Sequence, residues 1–161
     1  MSGFKQLANR DALTLISHPV SIITARQGEK INGMTAAWVC EVSSEPPMLC
    51  VSIHPKRYTW QMLENSEFFG VCMLHAGQEK LAEAFGTASG RKTDKFEMLK
   101  IEPFLGKNDI PLIPGSLAAM VCKKIKSVEA GDHFAVFGEV IEAWKGPEAR
   151  PLKWFKSKFD R

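Results

Sequence analysis

Two long β-rich runs, Leu117 to Val128 and Phe134 to Trp144, constrain this chain more than any other feature. Glu129-Ala130-Gly131-Asp132-His133 joins them. Both faces of the second run are largely apolar, which places it centrally in a sheet. Shorter strands and turns surround this pair. Val20 to Arg26 is β-rich, and Gln27-Gly28-Glu29-Lys30 is a hairpin turn. The next strand is expected to run to about Val42, where Ser43-Ser44-Glu45-Pro46-Pro47 breaks it. Met48 to Ile53 and Phe68 to Leu74 are compact apolar strands, and Pro151 to Phe159 reads as a final edge strand.

Helices are few. Asn9 to Ser17 carries Leu13 and Ile16 on one face, with Asn9 or Asp11 as a cap, and His18-Pro19 ends it. Thr59 to Asn65 reads as a helix after the loop His54 to Tyr58. Gln78 to Phe85 turns Leu81, Ala82 and Phe85 inward and Glu79, Lys80 and Glu83 outward. A polar loop follows over Gly86 to Lys92, then a helical turn over Asp94 to Leu99. Glu102 to Gly115 is a long irregular loop. The expected fold class is therefore mainly β, an antiparallel β-barrel with a few inserted α-helices. No Gly-x-Gly-x-x-Gly follows a strand, which argues against a Rossmann domain. With no linker or repeat, residues 1–161 are expected to form a single domain.

Composition narrows the function. A net charge of +3 is too mild to argue for nucleic acid and suits a small anionic ligand. No apolar run approaches the roughly 20 residues that span a bilayer. Met1 to Gln6 lacks an apolar signal core, so a cytoplasmic protein is the expectation. Cys40, Cys50, Cys72 and Cys122 lie in apolar, strand-like segments with no Cys-x-x-Cys pair. They are expected to be buried, reduced thiols, with no metal site among them.

Four stretches can carry chemistry. In Asn32-Gly33-Met34-Thr35-Ala36-Ala37-Trp38 the side chains are mostly small. Either this is a bulged strand in a packed barrel, or its backbone groups are open to a ligand. His54-Pro55-Lys56-Arg57-Tyr58-Thr59 sets cations and a hydroxyl where a loop enters a helix. It suits a phosphate, although a solvated basic loop with Thr59 as N-cap has the same composition. Thr87-Ala88-Ser89-Gly90-Arg91-Lys92-Thr93-Asp94-Lys95 packs hydroxyls, a glycine and cations together, as a phosphate nest or a surface loop would. His133 follows a tight turn and sits at a strand start, where it is either a turn residue or a barrel-mouth contact. His18, His54 and His75 have no supporting neighbours in the sequence. No serine stands in a nucleophile elbow.

The order of these stretches resembles the flavin reductase-like family, whose fold is the FMN-binding (Greek-key, split) barrel. The resemblance rests on Asn32 to Trp38, Val42 to Ile53, Arg57-Tyr58-Thr59, Ala88 to Phe96 and Ala130 to His133, and covers roughly Asn9 to Phe159. It implies a homodimer holding FMN, or FAD, at a groove shared by the subunits. Met34, Thr35, Ala36, Ala37 and Trp38 would border the flavin ring, with Asn32 beside them. Ser52 and Ile53 would lie along the ring or ribityl chain. Arg57, Thr59, Ser89, Gly90 and Lys92 would help hold the phosphate, and Tyr58, Ala88 and Lys95 would also contact the cofactor. His133 matches a histidine that lies near flavin and nicotinamide in reductase members. Trp38 would stack near the flavin or block the nicotinamide face. Ser89 to Phe96 is similar to flavoredoxin-like members.

The first expectation is an oxidoreductase passing hydride from NAD(P)H to FMN, with the protein binding and orienting the cofactor. The second is a flavoredoxin-like carrier that keeps FMN and takes electrons from a redox protein partner. The third is a split barrel for another phosphorylated or haem-type ligand.

Overall fold

The computed structural model describes residues 3–160. In chain order the strands are β1 (His18–Pro19), β2 (Ser21–Gln27), β3 (Lys30–Ala36), β4 (Val39–Ser44), β5 (Pro47–Ile53) and β6 (Phe68–Met73). Then come β7 (Phe104–Leu105), β8 (Pro111–Leu112), β9 (Ala118–Ala130), β10 (His133–Lys145), β11 (Lys153–Phe155) and β12 (Lys158–Asp160). The α-helices are α1 (Asn9–Leu13), α2 (Tyr58–Glu64), α3 (Glu79–Thr87) and α4 (Lys95–Met98). β9 and β10 form the expected antiparallel hairpin, and β10 lies between β9 and β5.

The main sheet runs β3-β2-β6-β9-β10-β5-β4, with every pairing antiparallel. β3 and β4 are consecutive in the chain yet form opposite edges. Only Ala37 and Trp38 separate them, so the sheet must curl until its edges meet at that corner. This closes an antiparallel barrel through the chain and leaves it split between its edges.

The long strand expected through to Val42 is thus two strands. Val39 N–H donates to the Ala37 carbonyl at 3.1 Å, a three-residue turn that breaks the first strand. Ser52 N–H then donates to the Trp38 carbonyl at 2.9 Å and recruits the chain to β5.

Alternation along β5 sends Leu49, Val51 and Ile53 into a core with Phe69, Val71 and Val136. Burying one such side chain contributes about 1.5–3 kcal/mol. A second core on the other side of the sheet packs Val20, Ile22, Cys72 and Leu112 under Phe85 of α3 and Phe96 of α4.

Four expectations change elsewhere. α1 is only five residues long, has Ala8 as its N-cap and buries nothing. Leu13 and Ile16 are both exposed, so their shared apolar face has no partner within the described chain. The final segment is a hairpin, β11 with β12, in a separate sheet with β1. Lys156 and Ser157 both adopt positive φ, giving a tight hairpin turn without its usual Asn-Gly signal. The Glu102 to Gly115 loop contains the β7–β8 pair. Cys72 and Cys122 are buried as expected, whereas Cys40 is exposed and Cys50 half-buried, because β4 is an uncovered edge.

Candidate functional site

A cavity of about 660 Å³ opens where the two sheet edges meet. This is within the usual range for small-ligand and cofactor sites. One wall is β3 and the corner, from Asn32 to Trp38. Ser52 enters from β5, facing away from the core that takes Val51 and Ile53. The far end is closed by residues of the loop before α2, the start of α2, and the loop after α3. β3 pairs only with β2, so one row of its N–H and C=O groups has no strand partner. Thr35 Oγ1 donates to the Ala82 carbonyl at 2.5 Å and ties this edge to α3.

The far end is polar and interlocked. Arg57 donates to the Gly86 carbonyl at 3.3 Å, and Arg91 donates to the Lys56 carbonyl at 3.2 Å. The Arg91 guanidinium also lies 5.7 Å over the Tyr58 ring, a cation–π contact. Each cationic stretch therefore ties down the other's backbone.

Beneath them Lys95 is 1% exposed. Its ammonium donates to Asn32 Oδ1 at 2.8 Å and to the Ala88 carbonyl at 3.3 Å, both neutral acceptors. Burial pulls its pKa below the usual lysine range, and the neighbouring Asp94 carboxylate partly opposes that. Asn32 Nδ2 in turn donates to Thr59 Oγ1 at 2.8 Å. Thr59 is not the expected N-cap. Arg57 holds that position, and Thr59 lies inside α2, buried.

The near end is aromatic. The Trp38 indole is 50% exposed, and its ring lies 4.8 Å from that of His133. His54 meets His133 edge-on at 5.1 Å, the neighbour its sequence context did not reveal. His133 Nδ1 is 2.6 Å from Asp132 Oδ1. A carboxylate only accepts, so Nδ1 carries the proton, and Nε2 of a neutral ring remains an acceptor. The hydrogen bond from His133 holds the Asp132 carboxyl below the usual carboxylate range.

The cavity wall contains most residues singled out in the sequence: Asn32, Met34, Thr35, Ala36, Ala37, Trp38, Ser52, Arg57, Tyr58, Thr59, Ala88, Ser89, Gly90, Lys95 and His133. Ile53 is turned into the core, opposite Phe134. Lys92 is exposed outside the wall. Gly33 is small for a different reason than ligand approach. A Cβ there would lie 2.9 Å from Phe85 Cε1, so the glycine makes room for α3. Sequence reasoning missed Phe85 and Trp154 as wall residues. Phe85 gave only a core signal, and Trp154 reaches the cavity from the small sheet, which no local pattern announces.

A curled antiparallel barrel with a cavity at its split, lined by the Trp38 and His133 rings and by the interlocked cationic stretches, has the form of a nucleotide-cofactor barrel. Residues 13–161 match the flavin reductase like domain, and the chain belongs to that family. The reductase component of 4-hydroxyphenylacetate 3-monooxygenase from Thermus thermophilus is 30% identical over 154 residues, covering 96% of this chain and 95% of that protein. A high molecular weight rubredoxin from Moorella thermoacetica is 31% identical over 145 residues, covering 89% of this chain and 62% of that protein. Among solved structures, the NADH:FAD oxidoreductase SgcE6 of Streptomyces globisporus C-1027 superposes with a TM-score of 0.88 at 28% identity, covering 98% of both chains. SgcE6 has also been solved in complex with NAD and FAD fragments.

Proposed function

We propose that this chain is an NAD(P)H:flavin oxidoreductase that holds FMN, or FAD, in the cavity at the barrel split, with residues 1–161 acting as one flavin-binding domain. The observation that carries the reading is the division of one cavity into an aromatic mouth and a cationic, hydrogen-bonded far end. The residues present fit such a cofactor. Met34, Ala36, Ala37 and the unpaired edge of β3 suit a flat ring, and Thr59, Ser89, Gly90 and Arg57 suit a phosphate. Bound flavin supplies the hydride-accepting chemistry; the chain binds, orients and tunes it.

The outward N–H groups of β3 would favour negative charge on the ring edge. Asp132 fixes the His133 ring, so Nε2 can orient a nicotinamide amide, and His133 acts as a positioning group. Trp38 and His54 pack against the His133 ring and set its place at the mouth, where a second planar reactant would enter. A cytoplasmic location is part of this proposal; among the described residues no helix is long and apolar enough to cross a membrane.

A second copy is the natural cover for the uncovered β4 edge. Beside it lies a depression of about 510 Å³ lined by Val39, Met48, Leu49, Met73, Met120 and Val140. A homodimer is therefore part of the proposal, and a monomeric mass by analytical ultracentrifugation at micromolar concentration would refute it.

The test of function is an absorption spectrum of the protein with FMN, followed by anaerobic NADH and then NADPH. Bleaching by either nicotinamide supports the oxidoreductase; no bleaching overturns it. A flavoredoxin-like electron carrier is the second reading. It is favoured by the likeness to a protein named for rubredoxin and by the Ser89 to Phe96 segment. It requires FMN that copurifies and bleaches only with a reduced protein donor.

A further inference from the structure

We propose that Lys95 is a positioning residue that reaches a bound phosphate without touching it, through a one-way chain of hydrogen bonds running Lys95, Asn32, Thr59. The proposal rests on the flavin reading above and names the device that sets affinity at its phosphate end. The chain has only one possible polarity. An ammonium has donors and no acceptor, so the Asn32 atom facing Lys95 must be its oxygen. That orients the amide and sends Nδ2 to Thr59 Oγ1. The hydroxyl therefore accepts from inside the protein, and its own hydrogen is left to donate into the cavity that Thr59 lines. Every donor in the series points toward the ligand, and successive bonds polarise one another.

Three observations converge on this device. Lys95 and Thr59 are each 1% exposed and Asn32 4%, so the series is shielded from water along its length. Both acceptors of the ammonium are neutral, so its charge is not cancelled by an ion pair with either of them. Gly90 packs directly on the Asn32 amide: a Cβ there would lie 2.3 Å from Oδ1 and 2.8 Å from Nδ2. The loop carrying Ser89 and Gly90 is thus seated on the middle member of the series. It stays low only while Asn32 keeps the orientation that Lys95 imposes. The exposed cations Lys56 and Arg57 are screened by solvent; this buried one is not.

The test uses FMN and riboflavin, which differ only by the phosphate, with dissociation constants read from flavin fluorescence. The wild type is expected to bind FMN more tightly than riboflavin. Lys95→Met and Thr59→Val are each expected to weaken FMN at least tenfold while leaving riboflavin within about twofold. Thr59→Ser, which keeps the hydroxyl, restores FMN binding. Lys95→Met in the Thr59→Val background costs clearly less than it does in the wild type, because part of the lysine's effect runs through the hydroxyl. Equal weakening of FMN and riboflavin would reduce Lys95 to a folding role and overturn the proposal. Additive losses in the double variant would overturn it too. Should Lys95→Met fail to fold, the near-isosteric Thr59→Val and its serine rescue decide the matter. A wild type that binds FMN and riboflavin equally sinks the relay alone; one that binds neither sinks the flavin reading as well.

Discussion

Gly90→Ala perturbs the site at its tightest backbone approach. The methyl group would enter the space of the Asn32 amide, 2.3 Å from Oδ1 and 2.6 Å from Cγ. Gly90 is not among the glycines at positive φ, so the cost is contact and not backbone strain. If Asn32 turns aside, the chain loses its bond to Thr59 and its bond from the Lys95 ammonium. A neutral bond contributes about 1 kcal/mol and one to a charged group about 1.5–3 kcal/mol. Replacing glycine by alanine returns about 0.4–1 kcal/mol through the unfolded state. The contact term wins, leaving a net loss of about 2–3 kcal/mol. For a chain of this length that lowers Tm by roughly 4–12 °C. Gly86→Ala is the control from the same region. Its Cβ would meet nothing nearer than Thr35 Cβ at 3.6 Å, and Gly86 lies inside α3. Alanine there is favoured by about 1 kcal/mol of helix propensity, so Tm should rise. Differential scanning calorimetry of both variants, with FMN affinity measured alongside, checks this. If Gly90→Ala melts as high as Gly86→Ala and binds FMN like the wild type, the packing argument is wrong.

Three further perturbations have defined outcomes. Trp38→Ala removes an aromatic contact of about 0.5–1.5 kcal/mol at the mouth and should raise the nicotinamide KM about two- to tenfold in steady-state assays. An unchanged KM would confine Trp38 to packing. Cys72 and Cys122 are pushed up to about 12, chiefly by burial, so at pH 8 a thiol reagent should label Cys40 rapidly and these two only after unfolding. Rapid labelling of either on intact protein, read by peptide mass spectrometry, contradicts the core assignment. Asp132 is held below the usual carboxylate range by His133. Its folded pKa is depressed, so the stabilisation from this contact is complete above the unfolded carboxylate value and is lost as pH falls through the lower folded value. A carboxyl carbon titration by NMR should show the low midpoint, and His133→Ala should return it toward normal.

The barrel was legible because its determinants are local. Apolar runs such as Met48 to Ile53 and turn signals such as Gln27 to Lys30 act within a few residues. The corner was not, because nothing in Ala37-Trp38 says that β4 will leave for the opposite edge of the sheet. Much of the site was legible as chemistry: two cationic stretches and a small-residue segment, each ambiguous alone. Their meeting in one cavity is a long-range fact, carried by bonds such as Lys95 to Asn32. His54 shows the limit most directly. Its partner His133 lies far along the chain, and only the β5–β10 pairing brings them together.

The two ends of the cavity differ in more than polarity, and that difference bears on how a flavin is kept. At the mouth, Trp38 is half exposed, the His133 ring is held by Asp132, and His54 Nδ1 accepts from Lys56 N–H at 3.1 Å. At the far end the donors are fixed before any ligand arrives. Asn32 is held between Lys95 and Thr59, Arg57 by Gly86, and Arg91 by Lys56 and Tyr58. Groups already ordered lose little side-chain entropy on binding, so on the proposed reading affinity would be concentrated at the end that takes the phosphate. An open mouth then admits a second planar reactant without disturbing the first. On the proposed reading, a diffusible flavin and a permanently held one would differ in how strongly this far end grips. Weakening the Lys95 series should therefore move the protein along that axis, shortening flavin residence while leaving reduction of whatever flavin is bound unchanged.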